Sequence, residues 1–195
     1  MEYFRFTNNR FIIASRKMFG RFSYILIFPF LFIRITGFSQ ESPTQAQEYD
    51  LKAVYIYNIT KFIYWEPTSP GNVFIIGVLG SSPIYEPLID VVKTKTVNNK
   101  KIILRQYTAV EGINNCNMLF IPENSTVSLD EILEKATSEK ILTISEQEGY
   151  GKRGTAINFV TVNDKLKFEV NIKTLESIGL KASAQFLKLT IIIEE

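Results

Sequence analysis

The chain has 195 residues, with 22 Lys+Arg, 20 Asp+Glu, no His and one Cys. Without His there is no Ser-His-Asp triad, no Cys-His dyad and no imidazole-held metal, and a lone Cys makes neither an intramolecular disulfide nor a thiolate zinc cluster. The net charge of +2 hides a split, +5 over residues 1–40 and −3 over residues 41–195, so the body has no basic stripe and nucleic acid is not an expected partner.

Residues 24–33 form a short apolar run behind a basic, acid-poor stretch. Gly37 and Ser39 are small residues two apart, the pattern of a cleavage site. Residues 1–39 therefore read as a signal peptide, and Met18 is an alternative start that leaves a leader of ordinary length. A retained anchor is the competing reading. Arg34 ends the run short of the about 20 apolar residues that a spanning helix needs. Residues 40–48 are polar and read as a flexible tail.

The body begins at Tyr49. Tyr49, Ala53, Ile56, Tyr57 and Ile63 recur at helical spacing, with Lys52 and Lys61 flanking, so a helix is expected to Trp65. Pro67 and Pro70 stop it. Val73–Leu79 is a continuous apolar strand, and 84–92 fits a short helix. Lys101–Tyr107 and Asn117–Ile121 read as strands. Ser128 and Glu131 suggest a capping box for a helix to about Ala136, and Ile141–Ile144 is another buried strand. Ala156–Val162 and Leu166–Ile172 are strands joined by Asn163-Asp164-Lys165, a tight-turn signal. Thr174 is expected to cap a short helix ended by Gly179. Ala182–Ile193 reads as a final helix packed on the sheet. Alternating helices and strands predict a single three-layer α/β domain over residues 49–195. Its central sheet is mostly parallel, with an antiparallel hairpin near the C-terminus.

Few motifs carry chemistry. Gly77-Val-Leu-Gly80-Ser81-Ser82 stands at a strand-to-helix turn, where an α/β protein can hold an anion. It lacks the third glycine of a dinucleotide fingerprint and the Gly-Lys-Ser/Thr of a triphosphate loop, so a structural turn is favoured and no cofactor is expected. Ser125, Ser145 and Ser183 have no activating His and no Gly-x-Ser-x-Gly context. Cys116 precedes a buried strand and reads as a small unpaired hydrophobe rather than a reactive thiol. The loop from Glu146 to Gly154, with Glu148, Lys152 and Arg153, reads either as a solvated crossover or as the cover of a cleft or partner surface. Tyr55, Tyr57, Phe62, Tyr64 and Trp65 are too many aromatics for one helix face, so part is core and part is free to anchor a partner.

Seven segments in order resemble the YfiR/HmsC-like family of small exported bacterial proteins. They are Lys52–Trp65, Ile76–Gly80, Cys116–Ile121, Ile141–Ser145, Gly154–Val160, Lys167–Ile172 and Gly179–Leu189, and together they span about residues 49–192. The resemblance implies a Rossmann-like fold, a periplasmic location and no enzymatic activity. It also implies binding to the periplasmic sensor domain of a membrane-bound diguanylate cyclase or sensor kinase, which is thereby repressed. Cyclic-di-GMP and biofilm formation then fall. A second copy of the chain is a further implied partner, and apart from the resemblance a small molecule is a candidate signal. The family's cysteine pairs and redox control are not matched, because this chain has only Cys116. Arg153, Asn158, Phe159, Glu169, Asn171, Lys181 and Ser183 are the candidate partner- or ligand-binding residues. Asn158 and Asn171 equally suit backbone satisfaction, and Phe159 suits the core. The alternative function is a periplasmic small-ligand binding protein feeding a sensor kinase or transport system, with its ligand near Gly80–Ser82.

Overall fold

The computed structural model describes residues 44–65 and 72–194. The expected signal peptide, its cleavage site and residues 40–43 of the expected tail lie outside the described residues, as do Pro67 and Pro70. The elements in chain order open with α1 (Gln45–Ile59), β1 (Ile63–Tyr64), β2 (Val73–Leu79) and α2 (Tyr85–Val92). Then follow β3 (Thr96–Val97), β4 (Lys100–Tyr107), a 3₁₀ turn at Val110–Gly112, β5 (Met118–Ile121) and α3 (Leu129–Ser138). The C-terminal part holds β6 (Leu142–Ser145), β7 (Ile157–Val162), β8 (Lys165–Asn171), α4 (Ile172–Ser177), β9 (Lys181–Ala182), α5 (Ala184–Leu187) and β10 (Ile191–Ile193).

The main sheet has the order β10-β8-β7-β6-β5-β2-β4-β3. Its centre is parallel: β2 pairs with β4 and β5, β5 with β6, and β6 with β7. The β7–β8 hairpin is antiparallel, as expected from the sequence, and β10 runs parallel to β8. Asn163 and Asp164 both have positive φ (51° and 57°), the geometry a two-residue hairpin turn requires.

Strand alternation sorts the core into two layers. Phe74, Ile76, Val78, Met118, Phe120, Leu142 and Ile144 face α1 and α2. Ile75, Leu79, Leu119 and Ile121 face α3 through Leu129, Ile132 and Ala136. Helices on both faces of the sheet give the three-layer α/β architecture expected from the sequence. No helix among the described residues is long and apolar enough to cross a membrane.

Several element boundaries differ from expectation. α1 starts at Gln45, not Tyr49, because Thr44 and Gln47 form a reciprocal capping box, so residues 45–48 of the expected tail are helical. It also ends at Ile59, well before Trp65. Successive i→i+3 bonds from Thr60, Lys61 and Phe62 tighten the last turn, and β1 then pairs with β9. Ser128 occupies the cap of α3 without a side-chain cap bond. The cap of α4 is Asn171, whose Oδ1 accepts from Thr174 N–H at 3.0 Å, rather than Thr174. The expected final helix is only α5, and the triple isoleucine after it is strand β10. β-branched residues favour the pleated edge of a sheet over a helix.

Candidate functional site

The parallel strands β5 and β6 run out just before Glu123 and Glu146, beside the N-terminal half of α1. Here a cleft of about 510 Å³ is lined by Glu48 and Lys52 of α1, Glu123, Glu146, Glu148 and Gly149 of the loops, Phe159–Val162 of β7, Leu166 and Glu169 of β8, and Ile191 of β10. Carboxyl ends of parallel strands are where open α/β sheets bind ligands. The lining carries one cation against five carboxylates, with an apolar wall from Phe159, Val160, Leu166 and Ile191.

A buried ion pair organises the floor. Lys52 Nζ lies 2.7 Å from Glu146 Oε2 and 2.6 Å from Glu48 Oε1, and the Lys52 and Glu146 side chains are only 8% and 4% exposed. Glu146 Oε1 accepts from the Tyr49 hydroxyl at 3.4 Å and from Glu123 N–H at 3.3 Å. One carboxylate thus ties α1, the end of β5 and the end of β6 together. Burial pulls the Lys52 ammonium down, but the hydrogen bonds and charges of Glu146 and Glu48 outweigh it and hold the group above its ordinary value. Burial, with the Glu146 charge second, pushes the Tyr49 phenol up, so both groups keep their protons at neutral pH.

A second polar layer lies between the 146–155 loop and the hairpin. Ser145 Oγ donates to Asn158 Oδ1 at 2.6 Å and stands 2.9 Å from Thr155 Oγ1. With its own proton committed, Ser145 receives that of Thr155. Asn158 Nδ2 donates to Glu169 Oε2 at 3.0 Å, so the relay Thr155–Ser145–Asn158 ends on a carboxylate of the cleft wall. Such chains polarise one another and favour a single arrangement. Asn171 Nδ2 donates to Gly151 O at 3.2 Å, and Thr174 Oγ1 to Gly154 O at 3.2 Å. Gly151 lets the loop lie close to the sheet: a Cβ there would stand 2.5 Å from Glu169 Oε2 and 2.8 Å from Ile193 Cδ1, so both side-chain ends would have to move aside.

The seven residues singled out from the sequence fall into four groups. Phe159 and Glu169 line the cleft. Asn158 and Asn171 are buried and bond the structure behind it. Arg153 is on the outer side of the same loop, over the Tyr150 ring at 5.2 Å and 3.9 Å from an exposed Asp130. Lys181 pairs with Tyr64 across the β1–β9 ribbon, and Ser183 caps α5 through Phe186 N–H. These last two residues are not part of the cleft.

Lys52, expected from the sequence only to flank the apolar stripe of α1, is the main residue of the cleft that the sequence does not single out. It occupies the stripe Tyr49-Lys52-Ala53-Ile56 at helical spacing, one turn after Glu48, and a Lys inside an apolar stripe signals a buried charge that needs a partner. The other singled-out groups are spent on structure. Gly80 N–H donates to Tyr107 O and Gly80 O accepts from Gln106, while Ser82 Oγ accepts from Ile84 N–H. Burial pushes the Cys116 thiol up to about 12, which removes the thiolate a reactive cysteine needs. Trp65 packs edge-on against Phe74, 4.9 Å between ring centroids, whereas Tyr64 is 66% exposed.

A family profile described as YfiR/HmsC-like matches residues 49–190. No curated protein sequence matches the chain. The profile match runs from the second turn of α1 to the threshold of β10, and includes both the Lys52–Glu146 pair and the Asn158–Glu169 relay. The chain belongs to the YfiR/HmsC-like family.

Proposed function

We propose that this chain is a non-enzymatic periplasmic regulator that binds the sensor domain of a membrane signalling protein, a diguanylate cyclase foremost, and represses it. Family membership over residues 49–190 carries this reading. The chemistry of the described residues supports it. Ser145, Thr155 and Asn158 are bound to one another, and the Cys116 proton is held tightly. Repression works by population shift: the regulator binds the inactive sensor conformation better than the active one, and a signal weakens that preference. A tenfold change in affinity, about 1.4 kcal/mol, gives a graded response.

The test is an in-cell crosslinking capture with the full chain as bait, read by mass spectrometry of membrane partners, beside cyclic-di-GMP measured with and without the gene. Recovery of a cyclase or sensor kinase and a rise in cyclic-di-GMP on deletion are expected. A folded, exported bait that captures no membrane signalling protein, with unchanged signalling on deletion, overturns the proposal.

The cleft supports a second reading, a small-ligand binding protein feeding a sensor kinase or transport system. A ligand at 100 times its Kd adds about 2.7 kcal/mol to stability, which a thermal-shift panel detects. The cleft at Glu146 and Glu169 supports this reading better than Gly80–Ser82, where the Gly80 amide and carbonyl and the Ser82 hydroxyl are already bonded within the chain.

A further inference from the structure

Strand β7 outruns the neighbour on one of its sides. It spans Ile157–Val162 and pairs with β8 along its whole length. On the other side it pairs with β6 at Ile157 and Asn158 and, among the described residues, with no strand beyond them. The stretch left over borders the cleft: all of Phe159–Val162 line it. Side chains of a strand alternate between its two faces, so successive residues border one cavity through the strand's edge rather than through a face. The hairpin register says which backbone groups that edge offers. Val162 pairs with Lys165 across the two-residue turn, and Val160 with Lys167. These are bonded pairs of the hairpin, and the residues between them turn their N–H and C=O outward. The Asn171 N–H, which donates to Ala156 O at 2.9 Å, fixes the same phase. The Phe159 carbonyl and both backbone groups of Thr161 therefore point away from β8, past the end of β6.

We propose that an extended, basic segment of the partner protein enters the cleft and adds itself as a short strand to this edge of β7. The source of the segment rests on the regulator reading above. Successive outward groups on the edge repeat at about 7 Å, the two-residue step of an extended chain, and backbone groups along a strand edge call for another strand. Main-chain bonds to such an edge supply affinity, and alternate side chains supply specificity. Charge decides which side chains fit. Lys52 engages Glu48 and Glu146. Glu123, Glu148 and Glu169 also line the cleft and stand in no ion pair among the described residues. An Arg or Lys on the added strand meets these carboxylates, and a β-branched residue beside it packs on Val160 and Val162. An acidic segment meets like charge and is turned away.

Calorimetric titration of the full chain with three end-blocked synthetic peptides tests the proposal. The first has the sequence Thr-Val-Arg-Val-Thr. The second carries Glu in place of Arg. The third is the first methylated on its three central backbone nitrogens, which keeps the charge and removes the ladder donors. The first is expected to bind one to one, and the other two at least about tenfold more weakly. Thr161→Pro removes an edge N–H that the hairpin does not use and should weaken the first peptide by a similar factor. Glu148→Lys, at an exposed position, should do so through charge and carries the test if Thr161→Pro does not fold. No binding of the first peptide, or equal binding of its methylated or Glu form, overturns the proposal. A dimer of the chain that Thr161→Pro dissociates gives the edge to a second copy and overturns it too. The crosslinking capture separates this proposal from the reading it rests on. A signalling protein captured equally by the native chain and both variants leaves the regulator standing and overturns the strand addition, whereas the peptide titration decides the edge whatever the capture recovers.

Discussion

The centre of the sheet and its C-terminal flank solve burial in opposite ways. In β2, β5 and the α1-facing side of β6, nearly every side chain is apolar and buried. In β7, β8 and the loop before them, buried polar groups hold one another: Thr143 on Ala156 N–H, Ser145 on Asn158, Asn158 on Glu169, and Asn171 on Gly151. β6 is the boundary, with Leu142 and Ile144 on the apolar side and Thr143 and Ser145 on the polar one. The centre draws stability from area removed from water. The flank draws from it a defined geometry around a cleft, because a half-satisfied polar layer costs more than an apolar one.

The largest test of this division is at the centre. Phe120 is fully buried, and Phe120→Ala is expected to cost about 3–5 kcal/mol in denaturant unfolding, through lost transfer energy and a cavity. That is a large share of a total stability of about 5–15 kcal/mol.

On the flank, Lys52→Met is expected to cost about 2–4 kcal/mol, because it leaves the Glu146 carboxylate buried without its cation. Adding Glu146→Leu should recover most of that loss, an outcome no merely additive pair produces. The pH dependence has a definite sign. The folded state raises the Lys52 group above 10.5 and the Tyr49 phenol above 10.0. Their contributions are therefore complete below about pH 10 and are lost as pH rises through the folded values. The stability gap between the native protein and Lys52→Met should be flat from neutral pH to about 9 and should narrow in alkali. A gap that stays unchanged as pH rises into alkali would contradict this assignment.

The same division explains what was legible in the sequence. The apolar runs Val73–Leu79 and Met118–Ile121 and the alternating Leu166–Ile172 announce strands directly, and the Asn163-Asp164 turn announces the hairpin. Hydrophobic periodicity is a local signal, and these elements obey it. Ends set by partners distant in sequence were misread. α1 stops at Ile59 because β1 must reach β9, and Ile191–Ile193 becomes a strand because β8 offers it an edge. The site was half legible for the same reason. Phe159 and Glu169 lie on a recognisable strand pair, whereas the bond from Lys52 to Glu146 spans 94 residues, a distance at which only the fold brings the two charges together.

A middle-sized effect separates the relay from the ion pair. Ser145→Ala removes the group that joins Thr155 to Asn158 and leaves a buried amide oxygen without its donor. It is expected to cost about 1–3 kcal/mol, with no alkaline pH dependence, since no titrating group is lost. A cost below about 0.5 kcal/mol would mean that the Asn158 amide finds another partner and that the relay does not organise the cleft wall.

The smallest effects concern Lys181 and Ser183, on and after β9 and away from the cleft, and here the size itself discriminates. Ser183→Ala removes the cap of α5 and should cost about 1 kcal/mol, as caps do. Lys181 is exposed and makes no ion pair among the described residues, so Lys181→Ala should alter stability by less than about 0.5 kcal/mol. The informative measurement is the same pair of variants in the crosslinking capture. A Lys181→Ala variant of native stability that captures less partner would mark the β1–β9 ribbon, with exposed Tyr64 beside it in register, as part of the contact surface. Equal capture by both variants would confine the contact to the cleft side of the sheet, where Phe159 and Glu169 are.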